Sequence, residues 1–167
     1  MKGVTNKGFT LIEILVVVVI VSILTVMGVQ MVNSGSVERN LQQHGRILQS
    51  SIEYACDQAT LQNIPYGIKI YETAYSFVEY ANAQWIDVIS QNLLTHELND
   101  GSLVSLKIDD ATVALKTDEI ELPQIVCQAT GELTPFEIVI SDASESHHYQ
   151  IKTKDFWQLQ GQWLDEK

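Results

Sequence analysis

Hydrophobic and polar positions divide this chain into three stretches. Between Phe9 and Val29 the only charged residue is Glu13, and Ile14 to Val21 is an unbroken apolar run. As a helix, Phe9–Val29 rises about 31 Å, close to the ~30 Å of a bilayer's hydrocarbon core. In lipid the backbone must satisfy its own hydrogen bonds, so the pattern predicts a membrane-spanning helix over 9–29 despite its many β-branched side chains.

From Gln30 to Thr60 there is no proline, and Leu41, Leu48, Ile52, Ala55, Cys56 and Ala59 recur near the helical period. This spacing predicts an amphipathic continuation of the helix over 30–62. Gly28, Gly35 and Gly45 weaken it, and Asn33-Ser34-Gly35-Ser36 predicts a bend or a melted turn. Asn63-Ile64-Pro65 ends it, because proline disfavours helix at the residue before it.

Residues 63–167 carry a strand pattern. Strands are expected at 67–71 and 75–80 with Glu72-Thr73-Ala74 as their turn, and a less clear stretch opens at Trp85. Further strands are expected at 103–108, 112–115, 124–128, 136–140, 149–153 and 156–159, with Asn99-Asp100-Gly101 as a turn. Short strands at this spacing point to an α+β fold, with a long N-terminal helix laid on an antiparallel β-sheet or β-sandwich.

The flanks of the apolar stretch set its orientation and its processing. Lys2 and Lys7 precede it, which favours a cytoplasmic N-terminus and a soluble domain across the membrane. A secretory signal is cut after its apolar stretch. The small residue here, Gly8, lies before it, so a cut after Gly8 removes a leader of residues 1–8 and leaves the helix on the mature chain. A carboxylate within such a helix is costly and marks function. Glu13 lies one turn beyond the proposed new terminus, where it either reaches the headgroups or meets a cation. The cut supplies that cation, the α-amine of Phe9, on every subunit of a helical assembly.

Gly8-Phe9-Thr10-Leu11-Ile12-Glu13 resembles the class III signal of type IV pilins and type II secretion pseudopilins. The resemblance implies a pilin-like fold, cleavage after Gly8 by a prepilin peptidase, N-methylation of Phe9, and a role for Glu13 in filament assembly. A second motif lies near the other end of the chain. Gly131-Glu132-Leu133-Thr134-Pro135-Phe136, followed by Glu137-Ile138-Val139-Ile140, reads physically as a turn leading into a buried strand. It also resembles the C-terminal signature of the GspH/FimT family, and the tyrosine-rich stretch at 71–80 followed by Trp85 is similar.

That family implies a minor pseudopilin, a structural subunit near the tip of a periplasmic pseudopilus that supports export of folded proteins. Its partners would be the prepilin peptidase, the other minor pseudopilins and the major pseudopilin, with inner-membrane lipid around the helix before assembly. The alternative within the family is a FimT-like type IV pilus minor pilin involved in pilus assembly or DNA uptake.

Charge bears on that choice. The chain has 10 basic and 21 acidic residues, a net −11. Loss of Lys2 and Lys7 with the leader leaves 8 − 21 = −13. The remaining cations are scattered, so nucleic-acid binding is disfavoured. Cys56 and Cys127 do not form a metal or redox spacing. Outside the cytoplasm a disulfide between them is permitted, and two buried thiols are the alternative.

Enzymatic readings are weak, and neither a cofactor nor a catalytic residue is expected. Ser141 has Asp142, Glu145, His147 and His148 nearby in sequence, which does not make a triad. His44 lacks a companion ligand at helical spacing, and His147-His148 suits a polar loop better than a metal. Asp109-Asp110 and Asp142-x-x-Glu145 lack the dense acid pattern of a calcium loop and are read as solvated turns.

Overall fold

A computed structural model describes residues 11–90, 92–98, 101–118, 120–155 and 157–164, with the side chains of 25–36 not included. The chain forms two units, Met1–Val37 and Glu38–Lys167. Helix α1, Leu11–Gln62, belongs to both. Its backbone stays helical through Asn33–Ser36, so the melted turn expected there is absent. By propensity Asn33, Ser34, Gly35 and Ser36 together weaken the helix by about 2–3 kcal/mol relative to alanine, and this local cost does not interrupt the 52-residue helix.

In the second unit, α1 buries a stripe formed by Leu41, Gly45, Leu48, Ile52, Ala55 and Ala59. Spacings of three and four keep these residues on one face. The helix ends at Gln62. Asn63 takes a left-handed conformation, φ 56°, and the Ile64 N–H reaches back to the Ala59 carbonyl at 3.2 Å. Asparagine tolerates this cap conformation, so the stop is an asparagine cap as well as the effect of Pro65.

Two antiparallel sheets complete this unit. The first contains β1 (Tyr66–Ile70), β2 (Ala74–Ala81), β3 (Gln84–Asp87), the two-residue β4 (His96–Glu97) and β7 (Ile125–Cys127), ordered β3-β2-β1-β7 with β4 on β2. The second contains β5 (Leu103–Ile108), β6 (Ala111–Val113), β8 (Phe136–Ser141), β9 (His148–Thr153) and β10 (Leu159–Leu164), ordered β10-β9-β8-β5-β6. The α+β class, with a helix and antiparallel sheets, agrees with the pattern read from the sequence, and the arrangement agrees with the pilin-like fold that the resemblance implies.

Alternating burial is clearest in β7 and β8. β8 buries Phe136, Ile138 and Ile140 and leaves the residues between them half-exposed. Two-residue turns join neighbouring strands. Asn82-Ala83 links β2 to β3 and Asp109-Asp110 links β5 to β6, all four with positive φ. That is the left-handed geometry that suits a tight hairpin. The strand expected at 156–159 lies elsewhere: β10 starts at Leu159 and pairs with β9 from Leu159↔Thr153 to Leu164↔His148. Phe156 is outside the described residues. Its polar sequence, Leu-Gln-Gly-Gln-Trp-Leu, hides the strand because pairing with β9 outweighs weak propensity.

Candidate functional site

In the first unit, Leu11 to Leu24 is helical, and each large apolar side chain is between 48% and 85% exposed. Exposure extends around the whole circumference, so this is an apolar cylinder rather than an amphipathic face. Such a surface is stable only against lipid or other helices. Ser22 donates its hydroxyl to the Val18 carbonyl at 2.7 Å, satisfying this hydroxyl within the helix itself. Glu13 lies exposed in the first turn of α1, the end where a helix favours negative charge.

Gly8 and Phe9 lie outside the described residues. Among the described residues, no helix is long and apolar enough to cross a membrane. Of the expected span 9–29, only 11–24 have described side chains.

In the second unit, the segment Gly131–Phe136 carries the chain from the first sheet into the second. Gly131 has φ 90°, a conformation that favours glycine, and its N–H donates to the Gln128 carbonyl at 2.9 Å. The chain then runs back along β7. Gln128 N–H donates to the Glu132 carbonyl at 2.8 Å, and Leu133 forms a bridge with Cys127. The Thr134 hydroxyl accepts from the Val126 N–H at 3.1 Å, while the Thr134 N–H donates to the Val126 carbonyl at 3.0 Å.

Leu133 and Phe136 are buried, and the Phe136 N–H donates to the Thr153 hydroxyl of β9 at 3.1 Å. The motif residues thus divide the work between them. Gly131 turns the chain, Thr134 fastens the return strand, Leu133 and Phe136 plug the core, and Pro135 precedes β8. Glu132 stays exposed.

Cys56 on α1 and Cys127 on β7 are joined as a disulfide, with Cα atoms 5.0 Å apart. The bond fixes the last part of the helix beside the motif. At the other end of β1, Gln124 supports the sheet with its side chain. Its amide accepts from the Ile70 N–H at 3.0 Å and donates to the Ile70 carbonyl at 2.9 Å, so a side chain stands in for a strand backbone.

The residues weighed as chemistry have structural settings. Ser141 and His148 are opposite one another in the β8–β9 ladder. Burial pushes the Asp142 carboxyl up, but hydrogen bonds from the Ser144 hydroxyl and the backbone N–H groups of His147, Ser144 and Ser146 outweigh this and hold it at about 2. Asp142 therefore organises the β8–β9 turn, where Glu145 has φ 53°. His147 lies 3.5 Å from Glu38 and 3.8 Å from Asp142. His44 meets His96 edge-on, 5.8 Å between ring centroids, and His96 stacks on Tyr75 at 5.3 Å. Burial, and then His44, lowers the His96 pKa. Asp109-Asp110 is the hairpin turn described above. Among the described residues, no three His, Cys, Asp or Glu side chains converge on a point that could hold a metal.

Comparison with known proteins agrees with the N-terminal motif. Residues 5–29 match the prokaryotic N-terminal methylation motif. The chain is 29% identical to type II secretion system protein H of Pseudomonas aeruginosa over 147 residues, covering 82% of this chain and 84% of that protein. The corresponding protein of Aeromonas hydrophila is 20% identical over 168 residues, covering 92% of each. The resemblance to type II secretion system protein H is borne out.

The H-type likeness extends to the fold. The crystal structure of the minor pseudopilin EpsH from the type II secretion system of Vibrio cholerae aligns with a TM-score of 0.67 at 16% identity, over 78% of this chain and 99% of that one. The solution structure of Escherichia coli GspH aligns at 0.61 and 19% identity, over 75% and 89%.

Two features of this chain are not evident in its sequence. Gly45, a helix weakener by propensity, is the position where the Tyr149 ring of β9 lies against the helix backbone. Its place in the stripe, four residues after Leu41 and three before Leu48, is the available signal. Trp157, 68% exposed, is the other. No local pattern distinguishes it from a core tryptophan.

Proposed function

We infer that this chain is a minor pseudopilin of a type II secretion system, a non-enzymatic structural subunit of the periplasmic pseudopilus. The observation that carries this reading is the apolar helical surface of Leu11–Leu24, uncovered on every side and interrupted by Glu13 in its first turn. Before assembly, inner-membrane lipid covers that surface. After assembly, the helices of sibling subunits cover it. The N-terminus is cytoplasmic and the β-rich domain periplasmic, in keeping with Lys2 and Lys7 ahead of the helix.

Assembly then has three steps. A prepilin peptidase cuts after Gly8 and methylates Phe9. The new α-amine of one subunit and Glu13 of a neighbour attract one another, which sets the helix register in an apolar surrounding where an unpaired charge is expensive. The periplasmic domain then joins other minor pseudopilins and the major pseudopilin near the filament tip, supporting export of folded proteins across the outer membrane.

The test compares Glu13→Ala with the unaltered chain in cells that hold the complete secretion machinery. The variant should be cut normally but recovered poorly with sibling pseudopilins, and secretion should fall. Full recovery and full secretion would contradict the pairing mechanism.

A further inference from the structure

The two sulfurs of the Cys56–Cys127 bond have different surroundings. Cys127 is 1% exposed. It pairs with Tyr66 of β1 on one side and bridges to Leu133 of the return segment on the other, and both of these neighbours are buried. Cys56 is only half-buried, and it lines an open groove of about 650 Å³ between the last turns of α1 and the Gly131 turn. Thr60, one helical turn further on, lines the same groove, whereas Cys127 is not among its lining residues. One half of the bond therefore borders solvent, and the other is enclosed by paired backbone.

We propose that Cys56 is the exchange site of this disulfide, the sulfur at which a small thiol opens the bond and a small disulfide forms it. A thiolate attacks one sulfur while the other leaves, so access selects the sulfur that is attacked. The groove has the volume of a small-molecule site. An incoming thiolate RS⁻ bonds to the Cys56 sulfur, the bond to Cys127 breaks, and its electron pair leaves on Cys127, which takes a proton from solvent. The product is a mixed disulfide on Cys56. A second RS⁻ attacks the R sulfur, releasing RSSR and the Cys56 thiolate, so two thiols are oxidised as the protein disulfide is reduced. Formation reverses the path. The Cys56 thiolate attacks RSSR and expels RS⁻, and Cys127 then displaces the second RS⁻ from Cys56. The fastening of α1 to the Gly131 motif is thus opened and remade without unfolding the domain. This inference is independent of the filament reading.

The test uses the full chain in isolated cell envelopes. Mercaptoethanol is the probe because it is neutral, whereas Glu53, Asp57 and Glu132 line the same groove and repel an anionic thiol. After brief exposure, acid stops the exchange, free thiols are labelled with N-ethylmaleimide after unfolding, and peptide masses locate both labels. The expected intermediate carries mercaptoethanol on Cys56 and maleimide on Cys127. In a second arm, dithiodipyridine, a neutral disulfide, reacts with the single thiols of Cys127→Ala and Cys56→Ala. The Cys56 thiol should react at least about tenfold faster than the Cys127 thiol in the native chain, and at a similar rate in denaturant.

Mercaptoethanol on Cys127, equal amounts on both, or a bond that opens only in denaturant overturns the proposal. So do equal native rates in two folded variants. If a variant reacts at one rate with and without denaturant, it is unfolded, and the position of the adduct in the unaltered chain decides.

Discussion

Gly45 of the helix and Tyr149 of β9 are in direct contact, with the tyrosine ring occupying the space that a β-carbon at position 45 would need. The same ring meets Trp163 edge-on at 5.3 Å, and its hydroxyl lies where a β-carbon on Gly161 would intrude. Two glycines, one on the helix and one on the edge strand, thus make room for one aromatic side chain. Gly45→Ala should therefore destabilise the domain by about 1–3 kcal/mol through overpacking, although alanine favours a helix by about 1 kcal/mol. In a double-mutant cycle with Tyr149→Ala, measured by thermal unfolding, most of the penalty should disappear. A stabilising Gly45→Ala would contradict the contact.

The disulfide closes a loop between positions 71 residues apart in sequence. Chain-entropy reasoning gives about 4 kcal/mol for a loop of that size. Replacing both cysteines by serine should lower the unfolding midpoint accordingly. Unchanged stability in the absence of reductant would contradict a structural role for the bond.

Thr134 offers a sharper test of the family motif than its glycine. Thr134→Val keeps the shape but removes the acceptor of the Val126 N–H, at an expected cost of about 1–3 kcal/mol. Thr134→Ser should retain most of the stability. Equal stability of the valine variant in chemical denaturation would contradict the assigned hydrogen bond.

Asp142 predicts an acid dependence. Its folded pKa, about 2, lies below the ordinary value of 3.8, so the native state favours the carboxylate. The resulting stability is fully present above the unfolded value and is lost as pH falls from about 4 towards 2. Asp142→Asn should remove that part of the pH dependence and loosen the β8–β9 turn. Overlapping stability profiles from about pH 5 to pH 2 for the two proteins would contradict it.

Local physics explains which features are readable in the chain. The uninterrupted apolar run, the flanking lysines and Glu13 depend on composition over one segment, so they are visible without a fold. β5, β8 and β9 lie within about a residue of their expected bounds because alternation marks a half-buried strand. β4 is two residues long and exists by pairing Tyr75 with His96, a relation no local pattern reports. β10 departs from its expected place for the same reason, its identity coming from β9. At the motif, a turn at Gly131 and a buried Phe136 follow from residue type alone. The fastening of Thr134 to Val126 does not, because it joins positions eight residues apart across a turn.

The central claim, a subunit cut after Gly8 that keeps its apolar helix, is tested most directly by the intact mass of the chain isolated from the cell envelope. The account predicts a chain that begins at Phe9 and carries one added methyl group, with Gly8→Ala blocking the change. A mature chain that retains Met1–Gly8, or that has lost Leu11–Leu24, would contradict it.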